Sequence, residues 1–156
     1  MPRLDDLSDI QRQTVLSFPC FEFDDSPFVR LSKRLGHARL ALVTTAGLHL
    51  RGDKTFTAGD QSYRLIPSGS IAGDILQSHN SIGFDRTATY RDLNVTFPID
   101  RLQELRDSSV IGSLTASFCS FMGAQTNPRE ILTTTGPAAA RLLLAEGADA
   151  AILTPT

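Results

Sequence analysis

Apolar positions along this chain fall into short continuous runs and into runs that recur every three to four residues. Ala38-Arg39-Leu40-Ala41-Leu42-Val43-Thr44-Thr45 is a continuous run closed by Ala46-Gly47. A run of that length, bounded by glycine, predicts a strand buried on both faces. Ser62-Tyr63-Arg64-Leu65-Ile66, stopped by Pro67, and Leu93-Asn94-Val95-Thr96-Phe97-Pro98 read as further strands. Ser113 to Met122 reads as another extended segment, closed by Gly123. Helical spacing follows Asp100, an N-cap with Gln103 three positions on, where Ile99, Leu102 and Leu105 form one apolar face. Asn127-Pro128-Arg129-Glu130 predicts a helix start, and Gly136-Pro137 a second one. The second opens Ala138 to Glu146, packed through Leu142, Leu143 and Leu144 and capped by Gly147. Ala150-Ala151-Ile152-Leu153 then gives a last strand. Strands alternating with helices imply βαβ units. The expected fold is α/β, with a single open, mostly parallel sheet and flanking helices, Rossmann-like and three-layered.

Two regions resist this pattern. Residues 1–37 read as an irregular lead-in to the domain at 38–156. Asp9 to Leu16 has the spacing of a short amphipathic helix. Phe18, Phe21, Phe23 and Phe28, set among Pro19 and Pro27, are expected to lie over a core. Residues 51–92 hold five glycines and little periodicity, the mark of a functional loop region.

Composition narrows the function classes. The 156 residues suffice for one cored domain, with 41% hydrophobic and 21% charged residues. A net charge of -2 gives no electrostatic reason to expect nucleic acid or an anionic membrane. No apolar stretch is long enough to span a bilayer, and the start MPRLDDLSDIQRQ lacks the pattern of a signal peptide. Cys20 and Cys119 do not make a disulfide framework, and a reduced cytoplasmic protein is the expectation.

Familiar catalytic signatures are missing: no G-x-G-x-x-G, no Walker A, no C-x-x-C, no H-E-x-x-H and no G-x-S-x-G. Polar residues at strand ends remain. In open α/β sheets ligands bind beyond the carboxyl ends of the strands. Thr44, Thr45 and His49 follow the first strand, and Thr154 and Thr156 follow the last. The threonines suit either a carboxylate or the satisfaction of loop backbone groups. His79 and Asp85 sit in the donor-rich loop Ser78-His79-Asn80-Ser81-Ile82-Gly83-Phe84-Asp85-Arg86, a candidate binding loop. His37, His49 and His79 are too scattered for a metal signature. Cys119, between Phe118 and Phe121, reads as buried and inert.

Six phrases, in order, carry a resemblance: ALVTTAGLHL (41–50), GDQSYRLIP (59–67), LNVTFPIDRLQEL (93–105), VIGSL (110–114), SFMG (120–123) and EGADAAILTPT (146–156). From about Pro27 onward the chain resembles the selenoprotein B family of the glycine, sarcosine, betaine and D-proline reductases. The resemblance implies reductive cleavage of a C–N bond, with a selenocysteine or cysteine directly after the Leu-Thr-Pro strand end. It implies a partner subunit whose pyruvoyl group activates the amine, and a thioredoxin-like thiol donor that resets the oxidised product. The nucleophile would come after Thr156, at a helix N-terminus that favours its anion. The domain is therefore expected to be incomplete at its C-terminus, as a UGA codon read as stop would leave it. A short relative without the redox motif, serving as a non-catalytic small-molecule binding or scaffold subunit, is the alternative. Association into a homo-oligomer is left open.

Overall fold

The computed structural model describes residues 3–19, 21–26, 29–81 and 85–156. The expectations placed on Cys20, Phe28 and Ile82-Gly83-Phe84 lie outside the described residues. The α-helices are α1 (Asp9–Ser17), α2 (Thr87–Arg91), α3 (Ile99–Asp107) and α4 (Gly136–Ala145). The strands are β1 (Arg39–Thr44), β2 (Leu48–Leu50), β3 (Tyr63–Pro67), β4 (Ile75–Gln77), β5 (Ser113–Leu114), β6 (Ser117–Phe121) and β7 (Ala150–Thr154).

β1 is the middle of an open, mostly parallel sheet. Thr44 pairs with Ser120 of β6 and with Thr154 of β7, both parallel, so these two strands flank β1 on opposite edges. Leu40 pairs with Leu114 of β5 and with Ala150, which puts β5 on the β6 side. β5 and β6 are thus one extended segment interrupted at Thr115-Ala116, where the Thr115 hydroxyl donates to Ser117 O. β3 closes the far edge antiparallel to β6. Its Pro67 is tolerated there because an edge strand has a side that needs no N–H. β2 and β4 form a separate antiparallel ribbon from a region without strand periodicity in the sequence.

Alternation along β1 builds two cores. Leu40 and Leu42 pack with Ile99 and Leu102 of α3, Phe97 and Phe118 on one face. Ala41 and Val43 pack with Cys119, Phe121, and Ala139 and Leu143 of α4 on the other. Phe97 meets Phe118 edge-on at 5.9 Å between centroids, and both rings are fully buried. Each such ring contributes about 2–3 kcal/mol through burial.

Several local expectations are corrected. Leu93 to Phe97 is not a strand: Leu93–Val95 is a 3-10 turn. The Asp92 carboxylate accepts from Asn94 N–H, and the Asn94 side chain accepts from Asp100 N–H at 3.0 Å. Those side-chain bonds replace a ladder. α3 accordingly begins at Ile99, with Asp100 in its first turn rather than at its cap. The helix starts at Asn127-Pro128 and Gly136-Pro137 belong to one helical run, joined by a π-helical turn over Ile131–Thr135. Pro137 has no N–H to give, and the wide turn accommodates its ring; Gly136 N–H instead closes on Ile131 O. Within α4 only Leu143 of the three leucines is buried, while Leu144 faces outward. No described residue before Ala38 is buried, and Phe18, Phe21 and Phe23 are exposed rather than laid over a core. α1 does form, capped by Ser8 through Gln11 N–H.

Candidate functional site

The parallel register brings the carboxyl ends of β1, β6 and β7 to one edge of the sheet. From β1 the chain passes through the β2–β4 ribbon and the edge strand β3, enters β5 after α3 on one face, and then crosses β1 to β7 with α4 on the other. β1 thus lies between strands reached from opposite faces, and in open α/β sheets the carboxyl end of such a strand is the place to look for a ligand.

The hydroxyls at that edge are engaged in different ways. Thr44 is buried; its Oγ1 lies 3.1 Å from Thr96 O and 3.2 Å from Thr154 O, and accepts from Ala46 N–H. With one proton to give and every neighbour a backbone group, Thr44 is a structural tie. Thr45 Oγ1 accepts from Thr156 N–H at 2.9 Å and lies 3.3 Å from Thr156 Oγ1. It fixes the residue after Pro155. Ser120 Oγ accepts from Leu48 N–H at 2.8 Å and locks the start of β2 beneath the edge.

The loop after β4 is folded onto the same place. Gly47, at φ 65°, turns the chain; its carbonyl accepts from Ser78 N–H, and Gln77 Nε2 donates to Ala46 O. His79 is buried as a result. Its Nδ1 accepts from Ser81 N–H, which places the ring proton on Nε2. Burial first, and the Arg86 charge second, hold the His79 pKa below its ordinary value. A Cβ on Gly123 would lie 2.8 Å from His79 Nε2, 2.8 Å from Thr156 O and 2.9 Å from Thr45 O. Four segments therefore converge on a spot that only glycine leaves open.

Of the residues picked out in the sequence, Thr44, Thr45, Thr154, Thr156 and His79 gather at this edge. His49 does not join them through any hydrogen bond. It sits in β2, its Nδ1 held at 2.9 Å from Leu50 O, and lines a cavity of about 580 Å³ with Gln77, Thr89 and Tyr90. Asp85 is exposed and accepts from Thr87 N–H at the start of α2. Ser120 and Gly123 were missed as site residues, although both lie in the phrase Ser120-Phe121-Met122-Gly123. The sequence signal was a glycine directly after a strand.

The sequence profile of glycine/sarcosine/betaine reductase selenoprotein B matches residues 4–156. The chain belongs to the selenoprotein B family. It is 38% identical over 125 residues to the gamma subunit of D-proline reductase from Acetoanaerobium sticklandii, covering 80% of this chain and 51% of that protein. It is 27% identical over 145 residues to the component B beta subunit of the sarcosine reductase complex from Peptoclostridium acidaminophilum, covering 89% of this chain and 33% of that one. The chain thus spans about half the length of the first relative and a third of the second. No solved structure matches it.

For a selenoprotein B family chain the state of Cys119 matters. It is fully buried, and burial, followed by the Glu146 charge, pushes its thiol up to about 11. Burial holds it protonated at neutral pH. Among the described residues no group of three or more His, Cys, Asp and Glu side chains converges as a metal site. No helix among them is long and apolar enough to cross a membrane.

Proposed function

We propose that this chain is the strand-end platform of a selenoprotein B-type reductase component that reductively cleaves a C–N bond of an amino acid or betaine-like amine. The observation that carries the reading is the convergence of Thr45, His79, Gly123 and Thr156 at the carboxyl edge of the sheet, in a chain of this family. The named activities of the relatives, D-proline and sarcosine reductases, supply the substrate class. A selenol or thiol directly after Thr156 would supply the nucleophile, a pyruvoyl-bearing partner subunit the activation of the amine, and a thioredoxin-like donor the reducing equivalents.

The chain's own residues fit that nucleophile. Thr45 fixes Thr156 through its N–H, so the next residue leaves the sheet in a set direction. Gly123 keeps the exit clear of a side chain. Thr44 ties β1 to β7 so that both ends stay level. In this reading the sheet is a Rossmann-like three-layer core for residues 38–156, residues 1–37 are its lead-in, and the protein works in the reducing cytoplasm.

The test is turnover. With partner subunits and dithiol present, a chain carrying selenocysteine or cysteine directly after Thr156 is expected to reduce D-proline, sarcosine, glycine or betaine. Serine at that position is expected to abolish it. Turnover that survives serine there, or that is lost on Cys119→Ser, would refute the placement. The codons downstream of Thr156 offer a quicker check: an in-frame UGA with a cysteine codon shortly after it supports the reading. A second reading, a non-catalytic small-molecule binding or scaffold subunit, draws on the cavity lined by His49 and Gln77. It is favoured if a different stop codon ends the frame with no coding potential beyond it.

A further inference from the structure

The cavity beside the β2–β4 ribbon has a chemistry of its own. It holds about 580 Å³ between the ribbon, the 3-10 turn that precedes β4, and α2. That volume suits a small molecule. His49 is only 3% exposed, yet it lines this space. Its Nδ1 lies 2.9 Å from Leu50 O. A carbonyl oxygen can only accept, so Nδ1 carries the ring proton and Nε2 presents a lone pair. That nitrogen has no hydrogen-bond partner among the described residues, and it is not sealed from solvent. A buried ring with its outer nitrogen left to the cavity calls for a ligand that donates a hydrogen bond.

Charge in the walls is one-sided. Arg91, at the end of α2, lines the cavity, and no Asp or Glu does. Arg91 is exposed, and among the described residues it has neither an ion-pair nor a hydrogen-bond partner. Ser78 Oγ accepts from Phe56 N–H, which leaves its hydroxyl proton to give. These groups favour a carboxylate. Tyr90, 68% exposed, is the one Phe, Tyr or Trp ring in the walls. A quaternary ammonium would therefore meet neither a carboxylate nor a cage of aromatic rings.

We propose that this cavity binds a small amino-carboxylate that keeps at least one N–H, with the carboxylate toward Arg91 and the N–H donating to His49 Nε2. A fully N-methylated amine has no hydrogen to donate, and its methyl groups would close off His49 Nε2 without a partner, so the site selects against it. The inference rests on the proposed function for the amine class and narrows it, from amino acids and betaine-like amines to those that retain an N–H. Leu48 and Ser78 in the cavity walls directly adjoin Gly47 and His79, which pack on each other at the strand-end cluster. The ligand is thus held next to the carboxyl edge of the sheet.

A ligand series on the unsubstituted 156-residue chain tests this without any variant. Sarcosine, betaine and acetate share a carboxylate, and of the three only sarcosine has an N–H. Nuclear magnetic resonance titration with sarcosine should give saturable shifts at the His49 ring nitrogens. Betaine and acetate should bind at least about tenfold more weakly. Arg91→Ala, at an exposed position, should weaken sarcosine binding about tenfold and leave the melting temperature unchanged. Betaine or acetate bound as tightly as sarcosine overturns the proposal, because the carboxylate alone then accounts for binding. Sarcosine affinity untouched by Arg91→Ala overturns it too. So do shifts centred on Thr45 and Gly123 instead of His49, or no saturable binding of sarcosine at all. These readouts need neither partner subunits nor a residue after Thr156. Their failure leaves the reductase reading to its own turnover test, and failure of that test leaves the measured binding in place.

Discussion

At Gly123 a hydrogen atom decides whether the site exists. Alanine there would press its methyl group on two carbonyl oxygens and the His79 ring at 2.8–2.9 Å, contacts that cannot all relax. Gly123→Ala is expected to cost about 1–3 kcal/mol in urea denaturation, as overpacking does. An unchanged midpoint would mean that the strand ends have room to move apart. Cys119 makes the opposite point, since a reactive element is silenced by its surroundings. With its thiol pushed up to about 11, native protein at pH 8 should leave Cys119 unmodified by iodoacetamide over hours, while urea-unfolded protein labels within minutes. Rapid native labelling at Cys119 would contradict the burial. The burial of Cys119 was legible from its phenylalanine neighbours. The role of Gly123 was not, because nothing in sequence tells that His79 and Thr156 meet there.

Among the elements, the helical run ending in α4 shows how one proline reshapes its neighbours. Gly136-Pro137 has the chemistry of a helix start, yet the helix runs through it by widening one turn. The wide turn brings Gly136 so close to Ile131 that a Cβ would lie 2.5 Å from its carbonyl oxygen. Gly136→Ala should therefore lower stability by about 2 kcal/mol. Pro137→Ala, which removes the cause of the widening, should change it by less than about 1 kcal/mol. Thermal melting of the two variants gives the comparison, and an equal loss would show that the turn has another origin. The segment at Leu93 to Phe97 failed as a strand for a related reason. Asp92 and Asn94 offered the backbone closer partners than any neighbouring strand.

For the whole molecule, acid stability tests how the antiparallel edge is fastened. Asp60 and Arg64 form an ion pair at 3.0 Å, with each side chain little exposed, and the Arg64 guanidinium stacks on Phe56. Burial alone would raise the Asp60 pKa. Hydrogen bonds from the Ser62 hydroxyl and N–H, and from Arg64, outweigh it and bring the pKa below its usual 3.8. A carboxylate depressed in the folded state stabilises fully above its unfolded pKa, and that stability is lost as pH falls through the folded value. Asp60→Asn should therefore cost about 1–3 kcal/mol at pH 7, and progressively less as pH falls below 3.8 through the lowered folded value. A gap between wild type and variant that is the same at neutral and at acid pH would remove Asp60 from the acid limb. Local pattern encodes the strand at 38–45, the last strand with Gly147 before it, the α/β class, the burial of Cys119 and the family. Those depend on nearest neighbours, on alternation and on spacing along one segment. Which strand ends meet follows from packing between distant segments. It set β1 between β6 and β7, left His49 in a separate cavity and drew His79 to Thr45 and Thr156. It also gave the strands from residues 48–77 their partners. These are contacts between segments far apart in the chain, fixed by packing on two faces of one sheet, and no local propensity encodes them.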